Sequence, residues 1–134
     1  VEGGNVLHAI KKSDEDYIGF GEIYFSEIFK DHIKGWKKHS KMTMNLVVVL
    51  GEIKIVISDQ RVKSPTFGLF NEFLLSKENN YRRISIEPGL HVAFKGVSEG
   101  ISQLMNFSNI EHCPDEVKTI KLDKIKYDWW VRWR

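Results

Sequence analysis

The sequence predicts an all-β sandwich or barrel, built from its 134 residues. Three observations predict it. Short runs rich in β-branched and aromatic residues recur at spacings of about ten residues. Glycine and proline turn signals separate them. The one helix candidate is short. Taken in order, residues 24–29 (YFSEIF) alternate in part. Residues 42–50 are rich in β-branched residues and read as a strand buried on both faces. Residues 52–58 (EIKIVIS) alternate cleanly and put Ile53, Ile55 and Ile57 on one face. Gly51, between these two runs, reads as a tight turn or bulge. Residues 58–61 then lead into Ser64-Pro65-Thr66-Phe67-Gly68, which is loop chemistry. Further strands are predicted at 70–75, 81–86, 91–97 and 101–107. Pro88-Gly89 marks one turn, and Gly96 and Gly100 bracket another. Residues 114–117 open with proline and acids, as a first helical turn does.

Composition bounds the size and the partners. The hydrophobic fraction is 42% and the charged fraction 28%, values for a globular chain forming one domain over residues 1–134. A net charge of +2 gives no reason to expect nucleic acid or an anionic membrane as partner. The longest apolar run, residues 46–50, is far short of the ~20 residues a membrane helix needs. Cys113 is the only cysteine, so no disulfide forms within the chain and a reducing compartment is expected. The opening stretch VEGGNVLHAIKKSDEDY has no apolar core of the kind a signal peptide carries, so a cytoplasmic location is expected.

The order of motifs from residue 33 to 94 is more specific. KGWKKH (residues 34–39) precedes VLGEIKIVISDQR (49–61), SPTFG (64–68) and IEPGLHVAF (86–94). This order resembles the dTDP-4-dehydrorhamnose 3,5-epimerase (RmlC-like) family, whose members carry an Arg-Gly-Leu-His strand, a Gly-Glu turn, an SPTFG stretch and a Pro-x-Gly-Phe-x-His strand. GFGEIYFSE (19–27) and KYDW (126–129) add to the likeness. The resemblance implies a cupin jelly-roll, to which the reading of residues 114–117 adds one short C-terminal helical turn. It also implies a homodimer, a nucleotide-linked 4-keto-6-deoxyhexose as substrate, no cofactor, and a place in bacterial surface-polysaccharide synthesis.

Epimerisation beside a ketone needs a base, a donor for the enolate oxygen, an acid on the opposite face, and cations for the diphosphate. Laid on the family's motifs, the base position falls on Lys37, the oxyanion lysine on Met44, the tyrosine on Met105 and the leading arginine on Lys34. Asp123 matches the supporting carboxylate. His39 opens a second likeness, to the sugar 3,4-ketoisomerases, whose Arg-Gly-x-His-x-His strand places its second histidine there. Lys37 and His39 alternate on a strand and so share a face. They are the expected proton-transfer pair, with Asp123 to orient the base. Lys34, Asn45, Arg61 and His91 are the expected substrate-binding residues. The four ligand positions of a metal cupin fall on Lys37, His39, Met44 and Val92, a set with one ligand, so no metal is expected.

Each of these residues also has a structural reading. The lysines suit a wet strand edge. Asp59 and Arg61 suit a turn pair, Asn45 a satisfied buried amide, and the methionines core filling. The ending YDWWVRWR holds three tryptophans and could close the barrel mouth, stack on a base or pack on a dimer mate, the expectation taken here. Two functions follow: a keto-sugar epimerase or isomerase, or a cupin that binds a nucleotide sugar or a pathway partner without chemistry.

Overall fold

The computed structural model describes residues 2–130. Among the described residues, nine strands form two antiparallel sheets: β1 Glu22–Phe29, β2 Ile33–His39, β3 Met44–Leu50, β4 Glu52–Ser58, β5 Phe70–Ser76, β6 Ile84–Ile86, β7 His91–Gly96, β8 Ile101–Ser108 and β9 Val117–Thr119. One sheet runs β1-β8-β3-β6 and the other β5-β4-β7-β2-β9. This is the predicted jelly-roll. The predicted helical turn is a 3-10 turn at Pro114–Glu116, and a second lies at Leu122–Lys124. Two details differ from the sequence reading. The run at 81–86 is a strand only over Ile84–Ile86, and β9 carries too few apolar residues to be seen in the sequence.

The sheets pack through their inner faces. Ile53, Ile55 and Ile57 share that core with Ile28, Leu46, Val48, Val92 and Leu104, as the period-2 pattern requires. Gly51 is the corner between β3 and β4, where the chain leaves one sheet for the other. Its φ is +70°, and a Cβ there would stand 2.3 Å from the Ser102 hydroxyl, so only glycine fits.

The outer face of the five-stranded sheet has its own apolar cluster: Trp36, Val56, Ala93, Ile125 and Trp129. Here the C-terminal segment lies across β2, β4 and β7. The Trp36 indole donates to the Leu122 carbonyl at 3.2 Å, and the Lys95 ammonium donates to the Trp129 carbonyl at 3.0 Å. Tyr127 and Trp129 meet edge to face at 4.8 Å. Trp129 thus packs on its own barrel, while Trp130 is 67% exposed; residues 131–134, which complete the aromatic ending, lie outside the described residues. Among the described residues no helix is long and apolar enough to cross a membrane.

Candidate active site

Between β1, β8 and β3 on one side and β2 and β7 on the other lies a cavity of about 130 Å³. Its apolar lining is Met44, Leu46, Val92, Phe94 and Leu104, and its polar lining is Tyr24, Ser26, Lys34, Lys37, His39 and Asn106. The volume is below the roughly 300 Å³ at which drug-sized pockets begin.

Strand β2 supplies the basic wall. Gly35, Lys37 and His39 alternate toward the cavity, while Trp36 is buried in the outer cluster. Gly35 makes this possible. Its φ is +143°, and a Cβ would lie 2.4 Å from that of Ala93. The β2–β7 register shifts between Lys34 and Lys37, around this residue.

His39 is 6% exposed and Glu116 4%. The His39 Nδ1 lies 2.5 Å from a Glu116 carboxylate oxygen. The other oxygen of Glu116 accepts the backbone N–H groups of Lys41 and Met42, each at 3.1 Å. Burial pushes the Glu116 carboxyl up. The hydrogen bonds from His39, Lys41 and Met42 and the nearby His39 charge outweigh it and leave the group below its ordinary value. An ionised Glu116 only accepts, so His39 Nδ1 is the donor in this pair and Nε2 is the ring nitrogen left for the cavity. This is the arrangement of a general base held by a carboxylate.

The facing wall belongs to β1 and β8. Tyr24 and Asn106 are directly opposite in the β1–β8 register, and the Asn106 amide donates to the Tyr24 hydroxyl at 2.8 Å. Ser26 lies two residues along β1 on the same face.

The structure sorts the predicted residues into three groups. Lys37, His39 and Lys34 line the cavity. Lys34 stands at the rim, where its ammonium donates to the Glu27 carbonyl at 2.5 Å. Asp123 does not reach His39. It is exposed on the 3-10 turn at the far side of the five-stranded sheet, and the carboxylate that meets His39 is that of Glu116. Asn45 points away from the cavity because Met44 and Leu46, its neighbours in β3, point in. Its amide nitrogen donates to the Phe107 carbonyl at 3.1 Å and its oxygen accepts from Arg83 at 2.7 Å. Arg61 is consumed by Asp59, with Nε and Nη2 each 3.0 Å from a carboxylate oxygen. Ser64 and Thr66 also donate to Asp59, and these bonds hold its carboxyl far below the ordinary range. His91 faces outward, beside Ser58 and Lys38 in the sheet register, because Val92 and Phe94 take the inner face of β7. Its Nδ1 is buried without a hydrogen-bond partner among the described residues.

Sequence reasoning missed Glu116, Tyr24 and Asn106. Glu116 follows a proline on a short turn and carried no pattern. Tyr24 did carry a signal: it sits in the alternating run of β1, in register with Ser26 and Ile28. Met105, where the motif count placed a tyrosine, lies on the outer side of β8, since Leu104 and Asn106 line the cavity. Among the described residues no group of three or more His, Cys, Asp or Glu side chains is placed to hold a metal.

A carboxylate-held histidine and a tyrosine lining one cavity inside a jelly-roll define the class: a cupin with its candidate site in the barrel. Solved structures place it within the fold. The chain is 34% identical to a dTDP sugar isomerase from Desulfovibrio desulfuricans G20, covering 96% of this chain and 83% of that one at a TM-score of 0.91. It is 25% identical to the 3,5-epimerase RmlC of Legionella pneumophila, solved with dTDP-4-keto-L-rhamnose, over 84% of this chain and 61% of that one at a TM-score of 0.73. It is 23% identical to the Mycobacterium tuberculosis rmlC epimerase, over 82% and 56% at a TM-score of 0.74. The chain thus spans little more than half of these epimerases. No protein-family model and no curated protein sequence matches it. The chain belongs to the RmlC-like cupin family of dTDP-sugar isomerases and epimerases.

Proposed function

We propose that the protein is an epimerase or isomerase acting on a dTDP-linked 4-keto-6-deoxyhexose. The observation that carries this reading is the His39–Glu116 pair and Tyr24 lining one cavity between the two sheets. His39 Nε2 takes the proton from the carbon beside the ketone, and the electron pair moves onto the carbonyl oxygen. The Lys37 ammonium, on the same strand face, supplies positive charge to that oxygen in place of the lysine the family motif would put at Met44. Tyr24 returns a proton from the opposite wall. The apolar lining of Leu46, Val92, Phe94 and Leu104 suits a deoxygenated sugar carbon. Lys34 at the rim suits the diphosphate.

Proton NMR in heavy water with dTDP-4-keto-6-deoxyglucose tests the proposal. Loss of a ring-proton signal beside the ketone, abolished in His39→Ala, is the expected result. Nucleotide binding by saturation transfer without any loss would instead support a cupin that binds the sugar without chemistry. Met44, an apolar residue where the motif implies a cation, favours that second reading.

The same reading includes a homodimer in the cytoplasm, serving surface-polysaccharide synthesis. The outward side chains of β1, Ile23, Phe25 and Phe29, are 44%, 56% and 58% exposed and offer an apolar face to a second copy. Light scattering across a concentration series tests it, and a monomer at every concentration would exclude the dimer.

A further inference from the structure

Asn106 is 1% exposed, yet it lines the cavity. Its two amide ends are not interchangeable. The backbone N–H of Asn45 donates to the side-chain oxygen at 3.0 Å. That donor fixes the oxygen on the β3 side, so the NH₂ group faces β1. There it meets the Tyr24 hydroxyl at 2.8 Å and the Met42 sulfur at 3.7 Å. A phenol oxygen that accepts an N–H along one lone-pair direction turns its own O–H elsewhere. The remaining open direction is the cavity, because Asn106 turns its NH₂ and not its oxygen toward Tyr24.

We infer that Asn106 is a positioning residue that makes Tyr24 a hydrogen-bond donor toward the sugar. The inference rests on the reading of Tyr24 as the acid. In the step, the Tyr24 O–H bond breaks and its proton goes to the sugar carbon. The electron pair stays on the phenolate oxygen, which the Asn106 N–H then stabilises as a charge-assisted bond. The proton taken from the opposite face rests on His39. Exchange with water through the cavity mouth restores both groups, so no further reactant is needed.

The test is Asn106→Asp. The shape is kept and a carboxylate oxygen still accepts the Asn45 N–H, but no donor faces Tyr24. The carboxylate accepts the tyrosine proton and draws it away from the sugar. The expected result is a fall of about 100-fold in kcat with KM changed less than about twofold. In the Tyr24→Phe background the same change is expected to have no further effect on kcat. Should the aspartate variant fail to fold, Asn106→Thr is read in the same way: its hydroxyl can serve Asn45 but is too short to reach Tyr24. Equal losses in both backgrounds, or no loss in the Tyr24 background, would overturn the inference. If Tyr24→Phe itself turns over like the wild type, the assignment of the acid fails as well, and the two failures are told apart by that variant alone.

Discussion

The two faces of the five-stranded sheet carry nearly the same residue types and put them to opposite uses. On the inner face, Lys37 and His39 line a cavity that can admit a ligand. On the outer face, Lys95 and His91 lie among aromatic packing or against neighbouring strands. Lys95 is fixed by the Trp129 carbonyl and lies 4.0 Å from the Trp130 ring centroid. His91 keeps a neutral ring because desolvation, and then the charge of Lys38, hold its pKa below the ordinary histidine value. His39, by contrast, has a carboxylate on Nδ1. The difference teaches that residue type does not make a site here; the side of the pleat does. A shift of one residue would exchange the two faces.

Several measurements break or sharpen that contrast. The largest expected effect is on the inner face: His39→Ala is expected to slow proton exchange into the sugar by about 10³-fold, the scale of a lost general base. Next is Gly35→Ala. The added methyl would meet the Ala93 Cβ at 2.4 Å on a backbone at φ +143°. The chain is expected to lose roughly 2–4 kcal/mol in urea unfolding, since overpacking and strained backbone add. An unchanged midpoint would mean that β2 can shift without cost. Glu116→Gln can keep an oxygen for the Lys41 and Met42 N–H groups only by turning its NH₂ toward His39 Nδ1. It is expected to destabilise by roughly 1–3 kcal/mol and to slow turnover at every pH.

The pH dependence has a worked sign. The folded Glu116 carboxyl lies below its ordinary 4.5, so its contribution is full above that pH and is lost as pH falls through the lower folded value. His91 behaves alike from its ordinary 6.5: its folded value is depressed, so the contribution is present above 6.5 and lost as pH falls through the lowered value. Urea midpoints from pH 7 to pH 3 are expected to decline in the wild type, and to decline less in His91→Phe between pH 6.5 and 5. A parallel decline would remove His91 from the account. The smallest effect is expected at Lys95→Met, which keeps the apolar stem over Trp130 and should leave exchange into the sugar unchanged.

Much of the fold was legible in the sequence because its signals are local. The Ile53, Ile55 and Ile57 period, the Gly51 corner and the proline-led turn at Pro114 each follow from a few adjacent residues. The site was legible only where one strand carries it, so Lys37 and His39 were found together. Glu116 comes from a segment 77 positions away from His39, and no spacing encodes that approach. The Asp59–Arg61 pair, two residues apart, was legible as a turn pair, whereas Asn45 and His91 are polar residues whose surroundings, Arg83 and the outer sheet face, are settled by tertiary packing. Arg83 itself, which bonds Asp14, Asp16, Asn45 and the Ala9 carbonyl, drew no notice in the sequence for the same reason.

The most direct test of the account compares the two histidines on one substrate: deuterium uptake from heavy water into dTDP-4-keto-6-deoxyglucose by His39→Ala and His91→Ala, side by side with the wild type. The account predicts that uptake collapses in the first and stays within about twofold of wild type in the second, since general-base loss alone reaches this scale. Equal losses, or a larger loss in His91→Ala, would contradict the assignment of the inner face as the site.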